Sequence, residues 1–353
     1  MSSGLSDLWR WFADTQCGAY SPLYQRICRA VADDNEVLGL VADAPPHAHL
    51  PNMLLAAVHY LVLGGLEHPL SQVYAGASEA DPGPLFVEVC LDQREAIAGL
   101  LQTRHTNTNE VGRSAALGPA LTQVAMQLGQ PLGLLDIGCS AGLNLLCDRY
   151  LLDYGPAGST GPPDAAVRVR SEVRGGHPPI ARRLPAIAAR LGLDRSPVDL
   201  SSDDAVQWQL ALVWPDTGRL KRTRLAFAEA GRSPPEVVEG DAVDDLAAAI
   251  DRIPEGCTPV VVTTWAFAYL PVERRAEFAN VLDAVSSARR LAWVSAEGPG
   301  VVDAFGDVDA PADEGNTPSL LGLVVFTDGR RDEELLAFVH PHGSWIDWGC
   351  APK

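Results

Sequence analysis

The residues best placed to do chemistry lie in LLDIGCSAGLN, Leu134 to Asn144. Asp136 stands two residues before Gly138, and Gly138-x-Ser140-x-Gly142 runs on into CSAGLNLLCDRYLL, so the stretch reads as strand, glycine turn and helix. Small residues there let backbone approach a ligand closely at the carboxyl end of a strand. The first N–H groups and the positive end of the helix would point to the same place. A dinucleotide fingerprint needs glycine at position 143, where Leu143 stands, which disfavours nicotinamide redox chemistry.

Three further groups of residues invite a chemical reading. TRHTNTNEVGRS, residues 103–114, crowds Thr106, Asn107, Thr108, Asn109, Glu110 and Arg113 just before a helical pattern. Such a loop either lines a site or caps the next helix through Thr108 or Asn109 with Glu110. Trp265 and Tyr269 follow the apolar run VVVTT, where they either wall a pocket or fill core. His340 and His342 in HPHGSW suggest a metal ligand or a general base, with His340 the pocket candidate. They lie two apart with no nearby Cys or His to complete a ligand set, so no metal is expected.

LLDIGCSAGLN resembles the first motif of class I S-adenosylmethionine-dependent methyltransferases, with Ser140 where the middle glycine usually stands. HTNTNEVGRSAAL, LLDIGCSAGLNLLCDRY, ALVWPD, VVEGDA, TTWAFAYLP and HPHGSW together are similar to a bacterial family known as a domain of unknown function with a proposed methyltransferase-like fold. The resemblance implies a Rossmann-like α/β sheet, S-adenosylmethionine as cofactor and a small-molecule acceptor. It implies that Asp136, Gly138, Ser140 and Gly142 hold the cofactor, that Asp241 in VVEGDA accepts from the adenine amino group, and that Glu172 in VRVRSEVRG grips the ribose hydroxyls. Arg113 would hold the cofactor's methionine carboxylate. Asp241 also reads as a helix cap for DDLAAAIDRI, and Glu172 as one position on a solvated strand face. Methyl transfer needs alignment more than a base, so no catalytic residue is assigned beyond the pocket candidates Asn109, Glu110, Trp265, Tyr269 and His340. A methyltransferase-like protein that binds a ligand without catalysis is the alternative.

Elements must position these residues. Helical spacing dominates to about residue 130, in segments punctuated by DAPPHAHLP and ADPGP, which predicts an all-helical domain over 1–130 that supplies part of the pocket. From Pro131 apolar runs alternate with helical stretches, which predicts a mostly parallel sheet in an α/β domain over 131–353. IARRLPAIAARLG, DDAVQWQLALVW and GRLKRTRLAFAEAG read as a helical insertion at about 176–233, packing over the sheet edge. GLVVFTDG and ELLAFVHPHG, parted by Arg-Arg-Asp-Glu, read as a C-terminal antiparallel hairpin, and 303–318 as a surface loop.

The 353 residues carry 27 Lys+Arg against 45 Asp+Glu, a formal charge of -18 that argues against nucleic acid and anionic membrane as partners. Seven arginines between Arg168 and Arg195 form a basic island that reads as a solvated face more than a phosphate site. The longest apolar stretch, Met53 to Leu66, is broken by His59 and too short for a span, and the start lacks a secretory pattern. Seven cysteines without a CxxC pair read as buried reduced thiols. A cytoplasmic protein is expected, of unassigned oligomeric state.

Overall fold

A computed structural model describes residues 2–18, 20–129, 131–306, 308 and 317–349. The chain forms two compact units, the first made of 1–108 and 201–224 and the second of 109–200 and 225–353. The boundary thus falls about twenty residues before the change of sequence pattern near Pro131.

The first unit is helical: α1 (Ser2–Phe12), α2 (Pro22–Asp33), α3 (Asn35–Ala42), α4 (Pro51–Leu63), α5 (Pro69–Tyr74), α6 (Pro82–Asp92) and α7 (Arg94–Thr103). Side-chain caps begin several of them. Ser21 Oγ accepts from Tyr24 N ahead of α2, and Asp34 accepts from Glu36 N and Val37 N ahead of α3. Their apolar faces meet in one core around Trp9, Tyr24, Ile27, Met53, Leu54 and Phe86. Next come α8 (Ser114–Leu128), which opens the second unit, then α9 (Asp203–Ala211) and α10 (Arg219–Arg232). α9 and α10 are helices as their spacing predicts, but 201–224 belong to the helical first unit rather than to an insertion on the sheet. The last two helices are α11 (Leu246–Asp251) and α12 (Val272–Ser286).

The second unit is built on strands β1 (Leu132–Ile137), β2 (Leu151–Asp153), β3 (Ser159–Thr160), β4 (Arg168–Arg170), β5 (Glu172–Gly175), β6 (Ile187–Asp194), β7 (Val237–Glu239), β8 (Thr258–Thr264), β9 (Leu291–Glu297), β10 (Ser319–Thr327), β11 (Arg330–Val339) and β12 (Trp345–Trp348). Nine of them form one sheet in the order β5-β12-β11-β10-β9-β8-β1-β6-β7, and β3-β2-β4 form a small second sheet. From β7 to β9 the neighbours are parallel, while β9-β10, β10-β11 and β11-β12 are antiparallel. The fold is therefore α/β with a mostly parallel central sheet. β1 and β9 are buried along their whole length, as strands covered on both faces must be.

Two expectations are corrected here. IAARLGLD is not part of a helix: it is β6, paired in parallel with β1 from Leu132↔Ile187 to Ile137↔Leu193. Its Ala, Arg and Leu fit a helical period as well as an extended one, so the spacing misled. CSAGLNLLCDRYLL does not form an α-helix either. It gives a short 3-10 segment, Leu143–Arg149, followed by β2. Carbonyls that an α-helix would use are taken by side chains: Tyr150 Oη donates to Leu143 O at 2.7 Å and Arg190 Nε to Leu145 O at 3.0 Å.

The C-terminal hairpin forms as expected, but Arg-Arg-Asp-Glu lies in β11. The turn is Asp328-Gly329, both at positive φ (51° and 73°), the geometry that matches the twist of two paired strands. Of the 303–318 loop, Asp303–Phe305 is a short 3-10 turn with Phe305 buried, and 307 and 309–316 lie outside the described residues. Six cysteines are free and buried, and Cys350 lies outside the described residues. Among the described residues no helix is long and apolar enough to cross a membrane.

Candidate functional site

The sheet order reverses at β1, whose neighbours are β6 on one side and β8 on the other. In open parallel sheets such a reversal leaves a crevice at the carboxyl ends of the strands. Asp136 lies near the carboxyl end of β1, Asp194 ends β6, and Glu297 ends β9.

The glycine turn leaves β1 with Gly138, Ser140 and Gly142 all left-handed, at φ 68°, 56° and 69°. Asp194 explains the unusual serine: its Oδ2 accepts from Ser140 N at 2.7 Å, and its Oδ1 from Ser196 N at 2.8 Å. The glycines themselves face protein. A Cβ on Gly138 would stand 2.5 Å from Ala266 Cβ, and one on Gly142 2.9 Å from Pro235 Cγ. Their small size therefore serves packing of the turn against the loops after β8 and before β7.

Asp194 is the residue that sequence reasoning missed. Glu172, expected at the end of the strand beside β1, is instead exposed on β5 at the far end of the sheet, paired with β12 and close to Arg174. The apolar run RLGLD followed by Arg-Ser-Pro carried the signal, hidden by the helical reading of AIAARLG.

Burial and the neighbouring Asp194 push the Asp136 carboxyl up to about 7, against the pull of Arg113. Glu297 is also raised by burial, although it accepts from Phe267 N at 3.0 Å, Ala266 N at 3.1 Å and Ala268 N at 3.4 Å, and faces Arg113. These N–H groups converge because Trp265 adopts φ 55°, a left-handed conformation costly for a bulky residue. Trp265 Nε1 donates to Ser319 Oγ at 2.7 Å, which anchors the ring, whereas Tyr269 is 82% exposed.

Arg113 is a cation of this edge. Its Nη1 donates to Thr264 O at 2.8 Å and its Nε to Pro341 O at 3.1 Å, joining the end of β8 to the HPHG turn. Arg113→Met is expected to lower stability by about 1.5–3 kcal/mol, the range for hydrogen bonds from a charged donor, read as a shift in the urea midpoint. Arg113→Lys should recover little, since one ammonium cannot span both carbonyls as a guanidinium fork does. A midpoint equal to wild type in Arg113→Met would show that the bridge adds nothing.

Of the polar run, 109–113 belong to the second unit and 105–108 to the first. Asn109 Oδ1 accepts from Leu143 N at 2.8 Å, and Glu110 Oε1 accepts from Gly112 N at 2.7 Å, so both cap short turns. His342 Nδ1 lies 3.4 Å from Glu110 Oε2. His340 is buried, its Nδ1 accepting from His342 N at 3.0 Å and its ring edge-on to Trp345. Among the described residues no group of three or more His, Cys, Asp or Glu is arranged to hold a metal.

Asp241 follows β7, where its Oδ1 accepts from Val243 N at 2.9 Å and Asp244 N at 3.2 Å. Arg274 and Arg195 also bind it, at 2.8 and 3.0 Å. These backbone N–H groups, with the two guanidiniums, hold its carboxyl well below the usual range. Asp241 thus holds the turn ahead of α11 rather than capping the helix itself, whose N-cap is Asp245.

Fold and edge together define an α/β protein whose acidic and polar residues converge at the carboxyl ends of a mostly parallel sheet. Over residues 6–348 the chain matches the family described as Uncharacterized protein conserved in bacteria (DUF2332), and it belongs to that family. A comparison with curated proteins found no match.

Proposed function

We propose that the second unit is a Rossmann-like, class I methyltransferase-like domain that binds S-adenosylmethionine and transfers its methyl group to a small-molecule acceptor. The observation that carries this reading is the left-handed turn 138–142 at the order reversal, between Asp136 on β1 and Asp194 at the end of adjacent β6. The donor set fits an adenosyl group at Asp194. Each of its oxygens accepts one backbone N–H, and a carboxylate oxygen has a second lone pair, so a ribose diol can be held as well. When bound, the cofactor supplies a methyl group already activated by the sulfonium charge. The chain's own part is alignment: Asp194 holds the turn and the sugar, while Arg113 keeps the β8 end and the HPHG turn in register.

A ligand-binding protein without catalysis is the second reading. It is favoured by Asp241 and Arg113, the residues expected to grip the adenine and the methionine carboxylate, both engaging groups of the chain itself.

Calorimetry with S-adenosylmethionine, S-adenosylhomocysteine and NAD separates the readings. The methyltransferase reading expects binding of the first two and not of NAD. Asp194→Asn should weaken S-adenosylhomocysteine by at least about tenfold, since a charged acceptor is lost, while Glu172→Gln leaves affinity unchanged. Binding of NAD alone, or of none of the three, would overturn the cofactor assignment. Binding without methyl transfer to any of a broad set of acceptors would favour the second reading.

A further inference from the structure

We propose that Glu110 and His342 form a general-base dyad in which His342 Nε2 takes the proton of the methyl acceptor, making the acceptor a hydroxyl or an ammonium compound. The inference rests on the methyl-transfer reading above and goes further by naming the base and the acceptor class.

Three observations carry it. First, the pair has the arrangement of an oriented imidazole. Nδ1 of His342 stands 3.4 Å from Glu110 Oε2, with the carboxylate side chain 7% exposed and the imidazole 29%. A buried carboxylate behind a partly exposed ring favours the tautomer protonated at Nδ1, which makes Nε2 the basic nitrogen. Second, the carboxylate is itself held, since its other oxygen accepts from Gly112 N at 2.7 Å. Third, the dyad belongs to the crevice edge. The carbonyl of Pro341, next to His342, shares the Arg113 guanidinium with the carbonyl of Thr264 at the end of β8. Two residues beyond Thr264, Ala266 packs against Gly138 of the glycine turn.

His340, the histidine favoured by sequence, suits the base role less well, because its Nδ1 accepts from His342 N to close the turn. Among the described residues, the charged and titratable groups near the His342 ring include Glu110, His340, at 5.6 Å between ring centroids, and Arg113 through the Pro341 carbonyl.

The chemistry selects the acceptor. A thiol or carboxylic acid reaches its anion near neutral pH with little help, whereas an alcohol or phenol must lose a proton as it attacks, and an ammonium group before it attacks, since only the free amine has a lone pair. In the step, an acceptor oxygen or nitrogen lone pair forms a bond to the methyl carbon. The carbon–sulfur bond breaks with its electron pair going to sulfur, giving S-adenosylhomocysteine, and the acceptor proton passes to His342 Nε2.

The test pairs an activity-independent readout with transfer. Nitrogen NMR of histidine-labelled protein should find His342 protonated at Nδ1 in its neutral form, and Glu110→Gln should lower its titration midpoint by about one pH unit as the facing charge is lost. His342→Gln should bind S-adenosylhomocysteine within twofold of wild type. Its transfer of labelled methyl groups to a panel of alcohols, phenols and amines should fall by at least about 100-fold. A neutral His342 protonated at Nε2, a midpoint unmoved by Glu110→Gln, undiminished transfer by His342→Gln, or transfer to thiols alone would each overturn the dyad. Failure of the wild-type protein to bind either S-adenosyl compound would instead remove the methyl-transfer reading, and the NMR measurement still decides whether the imidazole is oriented by Glu110.

Discussion

Gly343→Ala is expected to destabilise the second unit by about 2–5 kcal/mol, a large share of the roughly 5–15 kcal/mol that holds a domain together. Gly343 sits at φ 75°, and a Cβ there would overlap the carbonyl oxygen and carbon of Gly112. Left-handed backbone costs a non-glycine residue about 1–2 kcal/mol, and forcing atoms into a packed contact about 1–3 kcal/mol more. The obstacle is backbone, so no rotamer change relieves it. Neither side is free to retreat. Gly343 N donates to His340 O at 2.8 Å, His340 N to Trp345 O at 3.1 Å, and Arg113 Nε to Pro341 O at 3.1 Å. Gly329→Ala is the control: φ is 73°, but no atom lies within 4 Å of the added Cβ, so only the strain remains, about 1–2 kcal/mol. Urea midpoints of the two variants should therefore differ clearly. Equal midpoints would show that the HPHG turn is not clamped on the 110–113 segment.

Asp136 should make the protein less stable as pH rises from about 4 to about 7. The unfolded chain gives up this proton near 3.8, whereas burial and Asp194 keep it on the folded protein up to about 7. Between these values the native state binds the extra proton, so stability falls with pH, and above about 7 the loss is complete. A displacement of about three pH units corresponds to roughly 4 kcal/mol. Asp136→Asn keeps the shape and removes the ionisation. The difference in unfolding free energy between variant and wild type should therefore move in favour of the variant from pH 5 to pH 8, by a few kcal/mol. Parallel pH profiles for the two proteins would show that Asp136 ionises as readily in the folded chain as in the unfolded one.

Local chemistry made much of this protein legible from its sequence. Continuous apolar runs such as LGLLDI and PVVVTT have only one stable destination, a strand covered on both faces, and they became β1 and β8. Caps such as Ser21 and Asp34 also act within three residues, although neither is among the residues singled out from the sequence. The glycine turn at 138–142, the helical spacing of the first hundred residues and the C-terminal hairpin all belong to this class.

Tertiary partners decided the rest. AIAARLG satisfies two periodicities, and only its ladder to β1 selects the extended one, which brings Asp194 and not Glu172 beside the glycine turn. LNLLCDR carries helical spacing, yet Tyr150 and Arg190 capture its carbonyls from outside the segment. Arg113 and the HPHG turn stand more than two hundred residues apart, so nothing in local sequence pairs them. The shared guanidinium and the contact of Gly343 with Gly112 exist only once β8, β11 and β12 are in register. The sequence by itself determined most of the segments that extend, coil or turn, AIAARLG and LNLLCDR excepted, because those preferences are largely local. Only the tertiary structure decided which carboxylates face one another at the sheet edge, because that depends on strand order and register, which no residue's own preference encodes.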